Sequence, residues 1–227
     1  MDIIAQLSDQ VHAVMSARNQ ARDQALIHSR ELTRHAAHSI RAIHRSEHDL
    51  AHEHLRAARE LVATLQRDLA DFPQIYYAGY TQDAIKEFVE ANVTVALVEN
   101  RPLPLPADLE MDPAVYLNGL AEVPGELRRR TLDILRKGYS EDAERLLAVM
   151  DEIYALLITV DYPDAITNGL RRQTDLVRGI VERTRGDMTT SLREERLLQA
   201  IRELGAQLQV SDLPSDADRA GSEVSEA

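Results

Sequence analysis

The chain has 227 residues, 44% of them hydrophobic, with 9 Gly and 8 Pro, which fits a single-domain globular protein and excludes a collagen-like or wholly disordered polymer. Its 26 Lys and Arg stand against 38 Asp and Glu, and a net charge of -12 repels a polyanion at long range, so any nucleic-acid site must be local. Cysteine is absent, which closes disulfide, thiolate-metal and thiol-nucleophile chemistry.

From Asp2 to about Arg45 neither Pro nor Gly occurs, and apolar residues recur near helical spacing (Ile4, Leu7, Val11, Val14, then Leu26, Ala36, Ile40, Ile43). This predicts one long helix. Ser46 followed by Asp49 reads as a capping box that opens a second helix to about Ala70, where Phe72-Pro73 ends it. A third helix is expected from Pro73 or Thr81 to Glu99. Its stretch ANVTVALV, Ala91 to Val98, is apolar nearly all round, as befits a helix inside a bundle. Pro102, Pro104 and Pro106 make residues 101–112 an extended surface connection. Asp112-Pro113 then reads as N-cap and first residue of a fourth helix ending near Gly138. Ser140 with Asp142 to Glu144 opens a fifth, to about Thr159, and a sixth runs from Asp164 or Asn168 to Leu208.

The expected architecture is therefore all-α, six to seven helices within residues 1–210. The acidic tail 211–227, SDLPSDADRAGSEVSEA, has too little apolar surface to offset its ordering entropy and is expected to be disordered. All nine Phe and Tyr lie at or beyond Phe72, so the first third must pack with Ala, Leu and Ile. Helices this long bury one stripe within a monomer, and the apolar faces left on the first and last predict self-association. No run approaches the roughly 18 apolar residues of a membrane span. The start MDIIAQLSDQ lacks the basic and apolar regions of a secretory leader, so a cytoplasmic protein is expected.

Chemistry concentrates in two acidic pairs. Glu87 and Glu90 lie three apart on the third helix, hence on one face, directly before the buried stretch. Glu122 and Glu126 lie four apart on the fourth, flanked by Gly119 and Gly125, which leave room for a ligand to approach backbone. If the two helices pack antiparallel, four carboxylates converge as hard oxygen ligands for Mg²⁺ or Mn²⁺. Pro124 removes a helical hydrogen bond and frees the Leu120 carbonyl beside them. Glu pairs at this spacing are also what a solvated helix face shows, and that reading stays open.

The first helix offers a second constellation. Arg18 and Arg22 are one turn apart, as are Arg30 and Arg34, and Arg34, His38, Arg41, Arg45 and His48 roughly continue a stripe suited to tracking phosphates. Residues 1–60 hold eight Arg and eight acids, so this quarter is neutral while the remainder carries the whole -12. Ion pairing with neighbouring Glu explains such arginines equally well. All eight His fall within the first 54 residues, but the expected Ser46 break divides His44 from His48, His52 and His54, and no Glu-x-x-His ligand set is present. Tyr76, Tyr77 and Tyr80 stand where they can stack on unpaired bases or fill core.

Three segments carry a resemblance: HLRAARELVATLQRDLADFPQIYY, KEFVEANVTV and VYLNGLAEVPGELRRR, in that order, resemble successive segments of the translin superfamily, with similarity from about Asp23 to Leu192. Within the superfamily the chain is most similar to the nuclease branch, that of translin-associated factor X, rather than to translin, a single-strand binder. The resemblance implies that Glu87 and Glu90 are the two catalytic glutamates and that Glu122 occupies the place of a catalytic aspartate, one methylene longer. Glu126 matches the family Gly-Glu-Leu glutamate, as a fourth ligand or outer support. The segment AGYTQDA after Tyr77 replaces a basic, His-containing family segment. Arg18 and Arg22 lie close to the family's basic positions. Closed hollow barrels, typically octameric, are implied as well.

The expected function is a metal-dependent endoribonuclease acting on single-stranded RNA within a homo-oligomeric helical barrel. Glu87, Glu90 and Glu122 are its catalytic residues, these with Glu126 its ligands for Mg²⁺ or Mn²⁺, and Arg18, Arg22, Arg34 and Arg41 its nucleic-acid contacts. Two alternatives are an RNA- or single-stranded-DNA-binding oligomer without turnover, and an all-α Mg²⁺-dependent nucleotide pyrophosphohydrolase.

Overall fold

A computed structural model describes residues 3–211. These form nine helices and no strand among the described residues: α1 (Ile3–His44), α2 (His48–Asp68), α3 (Pro73–Tyr76), α4 (Gly79–Val98), α5 (Pro106–Leu109), α6 (Pro113–Leu135), α7 (Glu141–Leu157), α8 (Asp164–Thr167) and α9 (Leu170–Ser211). The six long helices are those expected. The short α3, α5 and α8 are single turns where Pro sets the first helical residue or precedes it. The expected tail, beyond Ser211, lies outside the described residues, and no helix among them is long and apolar enough to cross a membrane.

Local chemistry explains most helix boundaries. Asp112 caps α6 by accepting from the Ala114 N–H at 2.8 Å, with Pro113 as first helical residue. Ser140 caps α7 the same way at 3.2 Å, and Glu141, Asp142 and Glu144 fill the first turn, where the helix dipole favours negative charge. In the proline-rich connection the Tyr116 hydroxyl donates to the Pro104 carbonyl at 2.7 Å and pins the segment to α6.

Ser46 departs from its expected role. It does not cap α2, whose N-cap is Glu47 with no side-chain bond. Ser46 instead takes the left-handed conformation (φ 61°), while its N–H reaches the Ile43 carbonyl and that of Glu47 reaches Ala42, both at 3.0 Å. This is a Schellman end to α1 with serine in the position glycine prefers. Ser46→Gly is therefore expected to stabilise the protein by about 0.5–1 kcal/mol, read as a rise in thermal midpoint. An unchanged or lower midpoint would show that the turn is not strained.

α4 lies at the centre, packed by α1 on one side and α6 on the other, while α6 also meets α7 and α9. Ile85, Phe88, Val89, Val93, Val95 and Leu97 are all buried, so the apolar stretch sits inside as its composition demands. Against it α1 lays Ala36, Ile40, Ala42 and Ile43, small and aliphatic as expected of an aromatic-free segment. The amino-terminal part of α1 and the carboxy-terminal part of α9 have no such cover. Leu7, Val11 and Val14 on the one, and Leu197, Ile201 and Leu204 on the other, each form an exposed stripe at i, i+4, i+7.

Candidate metal centre

α4 and α6 run antiparallel: Lys86 meets Glu122 while Val89, further along α4, meets Gly119, earlier on α6. The helices touch at Gly119, where a Cβ would stand 2.7 Å from the Val89 Cβ and 2.8 Å from the Lys86 carbonyl oxygen. The expected open approach at this glycine is thus corrected: Val89 and the α4 backbone fill the space, because only a residue without a side chain lets the two backbones come so near. Gly125 keeps open space at its own Cβ position.

This close packing brings Glu87, Glu90 and Glu122 together, with one carboxylate oxygen of each within 4.8 Å of the others. Glu90 is 8% exposed. Burial pushes its carboxyl up to about 8, and Glu122, Glu87 and Glu126 add repulsion. Burial also raises Glu87, with Glu122 the next cause. Lys86 Nζ donates to Glu122 Oε1 at 2.7 Å. Burial works to lower this lysine, but the bond to Glu122 and the negative charges of Glu122, Asp83 and Glu87 together outweigh it and hold the ammonium above its ordinary value. With all four groups ionised, three negative charges face one positive, an excess of two, carried on hard oxygen donors. That donor set fits a divalent cation and could hold one.

Glu126, one turn beyond Glu122, stands outside the trio. Its Oε2 accepts from His44 Nε2 at 2.6 Å and lies 3.8 Å from Arg129. The His44 bond is the main reason that the Glu126 carboxyl is held below its ordinary value. The His44 side chain is only 3% exposed. Sequence reasoning did not single out His44 or Lys86 as neighbours of the acids. Lys86 left a signal in standing one residue before Glu87, and His44 left none, since it is 82 residues from Glu126.

The other candidates are dispersed. Arg18, Arg22, Arg34 and Arg41 are all exposed on α1. Arg22 pairs with Asp23 at 3.1 Å and Arg34 with Glu31 at 3.7 Å, and no ion pair among the described residues joins any of the four to the trio. The histidines separate into three settings: His44 on Glu126, His48 and His52 on Glu99, and His54 against His35. Tyr77 is exposed, edge-on to Tyr76 with ring centroids 5.1 Å apart.

No family model matches the chain. It is 33% identical over 190 residues, 83% of this chain and 84% of the other, to the uncharacterized protein MJ0175 of Methanocaldococcus jannaschii. Among solved structures it is similar to AfC3PO, both alone and in a complex with duplex RNA, at 32% identity and TM-score 0.74, over 84% of this chain and 97% of that one. The fold also matches apo-NeC3PO, at 21% identity and TM-score 0.73, over 84% of this chain and 98% of the other. With an all-α fold shared along nearly the whole length of AfC3PO at that level of identity, the chain belongs to the translin-type C3PO family.

Proposed function

We propose that this protein is a metal-dependent endoribonuclease of the translin-associated factor X type, acting on single-stranded RNA within a homo-oligomeric barrel. The observation that carries the reading is the convergence of Glu87, Glu90 and Glu122 from two helices, with Glu90 buried and in no salt bridge among the described residues. In this reading the trio holds Mg²⁺ or Mn²⁺, and the cation, when bound, supplies Lewis-acid stabilisation of charge building on the phosphoryl oxygens. Lys86 orients Glu122 through the 2.7 Å bond. His44 Nε2 holds Glu126 Oε2 at 2.6 Å, and Glu126, one turn along α6 from Glu122, serves as an outer support for the trio. Arg18, Arg22, Arg34 and Arg41 on α1 steady flanking phosphates. That AfC3PO has been captured with duplex RNA supports RNA as the ligand class.

The test is incubation of the purified protein with labelled single-stranded RNA, and separately with duplex RNA, in Mn²⁺, Mg²⁺ or EDTA. Internal cuts in single-stranded RNA with either metal and none in EDTA are expected. RNA that is bound yet uncut with both metals would overturn the nuclease reading. One observation favours that outcome: the Lys86–Glu122 pair already satisfies one carboxylate, as in a binding assembly whose acids are structural.

Assembly is expected to use the exposed stripes of α1 and α9, since apolar rows of this kind on helix ends call for a second copy. A Leu7→Glu, Ile201→Glu protein should fall to a smaller oligomer by light scattering while keeping its helix content. A mass equal to the parent's, whether octamer or not, would show that the stripes are not the interface.

A further inference from the structure

A pocket of about 660 Å³ opens where the carboxy-terminal end of α1 meets the last turns of α6 and the connection at 136–140. It is cationic in a chain of net charge -12: Arg45, Arg130, Arg136 and Lys137 line it with Asp133 as the one acid. Two helices end here, and the negative ends of their dipoles favour positive charge. That need accounts for Arg130, whose Nη1 donates to the His44 carbonyl at 3.4 Å, and Arg136 lies 3.8 Å from Asp133. It does not account for Arg45 or Lys137, whose side chains have no carboxylate or hydrogen-bond partner among the described residues. Arg130 also keeps a buried Nε without an acceptor, and His44, which bonds Glu126, lines the pocket beside it. Uncompensated cations and an unmet donor around one concavity are what an anion with several acceptor oxygens relieves.

The position says which anion. Glu122, Glu126 and Arg130 follow one another at four-residue intervals on α6. Arg130 therefore lies roughly 12 Å along the axis from the metal trio, on the same side of the helix. We propose that this pocket binds a backbone phosphate of the RNA strand, one neighbouring the phosphate that reacts at Glu87, Glu90 and Glu122. The inference rests on the RNA reading above and adds to it the group that positions the strand. Arg130 and Arg45 supply planar guanidinium donors, Lys137 a mobile charge, and Asp133 keeps Arg136 aligned.

The test uses the full-length protein and fluorescent single-stranded RNA in EDTA, so that binding is read without cleavage. Arg45→Ala, Lys137→Ala removes two side chains that take no part in the core. Affinity should fall roughly tenfold at low salt, and the plot of log affinity against log salt should become shallower by roughly 0.7 for each phosphate that is no longer neutralised. A control, Arg171→Ala, Arg172→Ala, lowers net charge equally and should bind as the parent does. Parent-like affinity and salt slope in the Arg45, Lys137 variant, with a parent that binds RNA, would overturn the pocket and leave the RNA reading intact. A parent that binds no RNA removes both. Binding of adenosine 5′-monophosphate or inorganic phosphate by the parent that is lost in the Arg45, Lys137 variant, with RNA binding unchanged between the two, would reassign the pocket to free phosphates and equally overturn the proposal.

Discussion

Glu90→Gln is expected to abolish metal-dependent RNA cleavage and, in metal-free buffer above neutral pH, to make the protein more stable than its parent. Gln keeps the volume and cannot ionise, so the change isolates charge. Loss of a buried anionic ligand should cost on the order of a hundred- to a thousandfold in rate, as loss of other preorganised electrostatic groups does. The stability effect follows from burial. The Glu90 carboxyl is raised from 4.5 to about 8 in the folded protein, so between those values the native state holds a proton that the unfolded chain has released. More protons in the native state mean that stability falls as pH rises. The favourable contribution is complete below about 4.5, declines through the window and is gone above about 8. The amount is on the order of a few kcal/mol. Glu87, raised in the same direction, contributes a residual slope in both proteins. Added Mn²⁺ should restore the parent at the alkaline end and leave the Gln protein unmoved. Melting curves at pH 5 and pH 8, with and without Mn²⁺, check this, and equal pH dependence in parent and variant would mean that Glu90 carries no burden.

Gly119→Ala is expected to destabilise the protein by about 1–3 kcal/mol and to weaken Mn²⁺ binding, whereas Gly125→Ala should be neutral or slightly stabilising. The added carbon at 119 would lie 2.7 Å from the Val89 Cβ and 2.8 Å from the Lys86 carbonyl. A backbone oxygen and a branched carbon on a central helix cannot rotate away, so α4 and α6 must part. Parting them separates Glu122 from Glu87 and Glu90, which span the same helix crossing one turn away. At Gly125 nothing lies within 4 Å of the new carbon, and alanine restores helix propensity. Equal melting shifts for the two substitutions would show that the helix packing, and with it the positioning of the acids, is looser than the structure has it.

Much of the site was legible in the chain because helical faces are a local property. The spacing of Glu87 with Glu90, and of Glu122 with Glu126, assigns each pair to one face, and the apolar run after Glu90 shows that this face turns inward. Asp112-Pro113 and Ser140 were equally readable, since a cap bonds within two or three residues of itself. Ser46 is ambiguous in the sequence because a serine at a helix boundary suits either a cap or a left-handed end, and only the folded chain shows that the left-handed conformation wins. In the sequence the glycine at 119 is only a missing side chain, and the neighbouring helix reveals it as the place where two backbones meet.

The sequence alone determined the six long helices, their order, and which acids lie on which face, because all of these follow from 3.6-residue periodicity and short-range capping. The tertiary structure decided what those acids meet. That Glu126 binds His44 rather than joining the trio, that Lys86 takes Glu122, and that Glu90 is deep enough for its proton to be held to about 8 depend on how three rods separated by dozens of residues cross. Burial and charge pairing between distant segments are set by packing, and packing is a property of the whole bundle rather than of any stretch of chain.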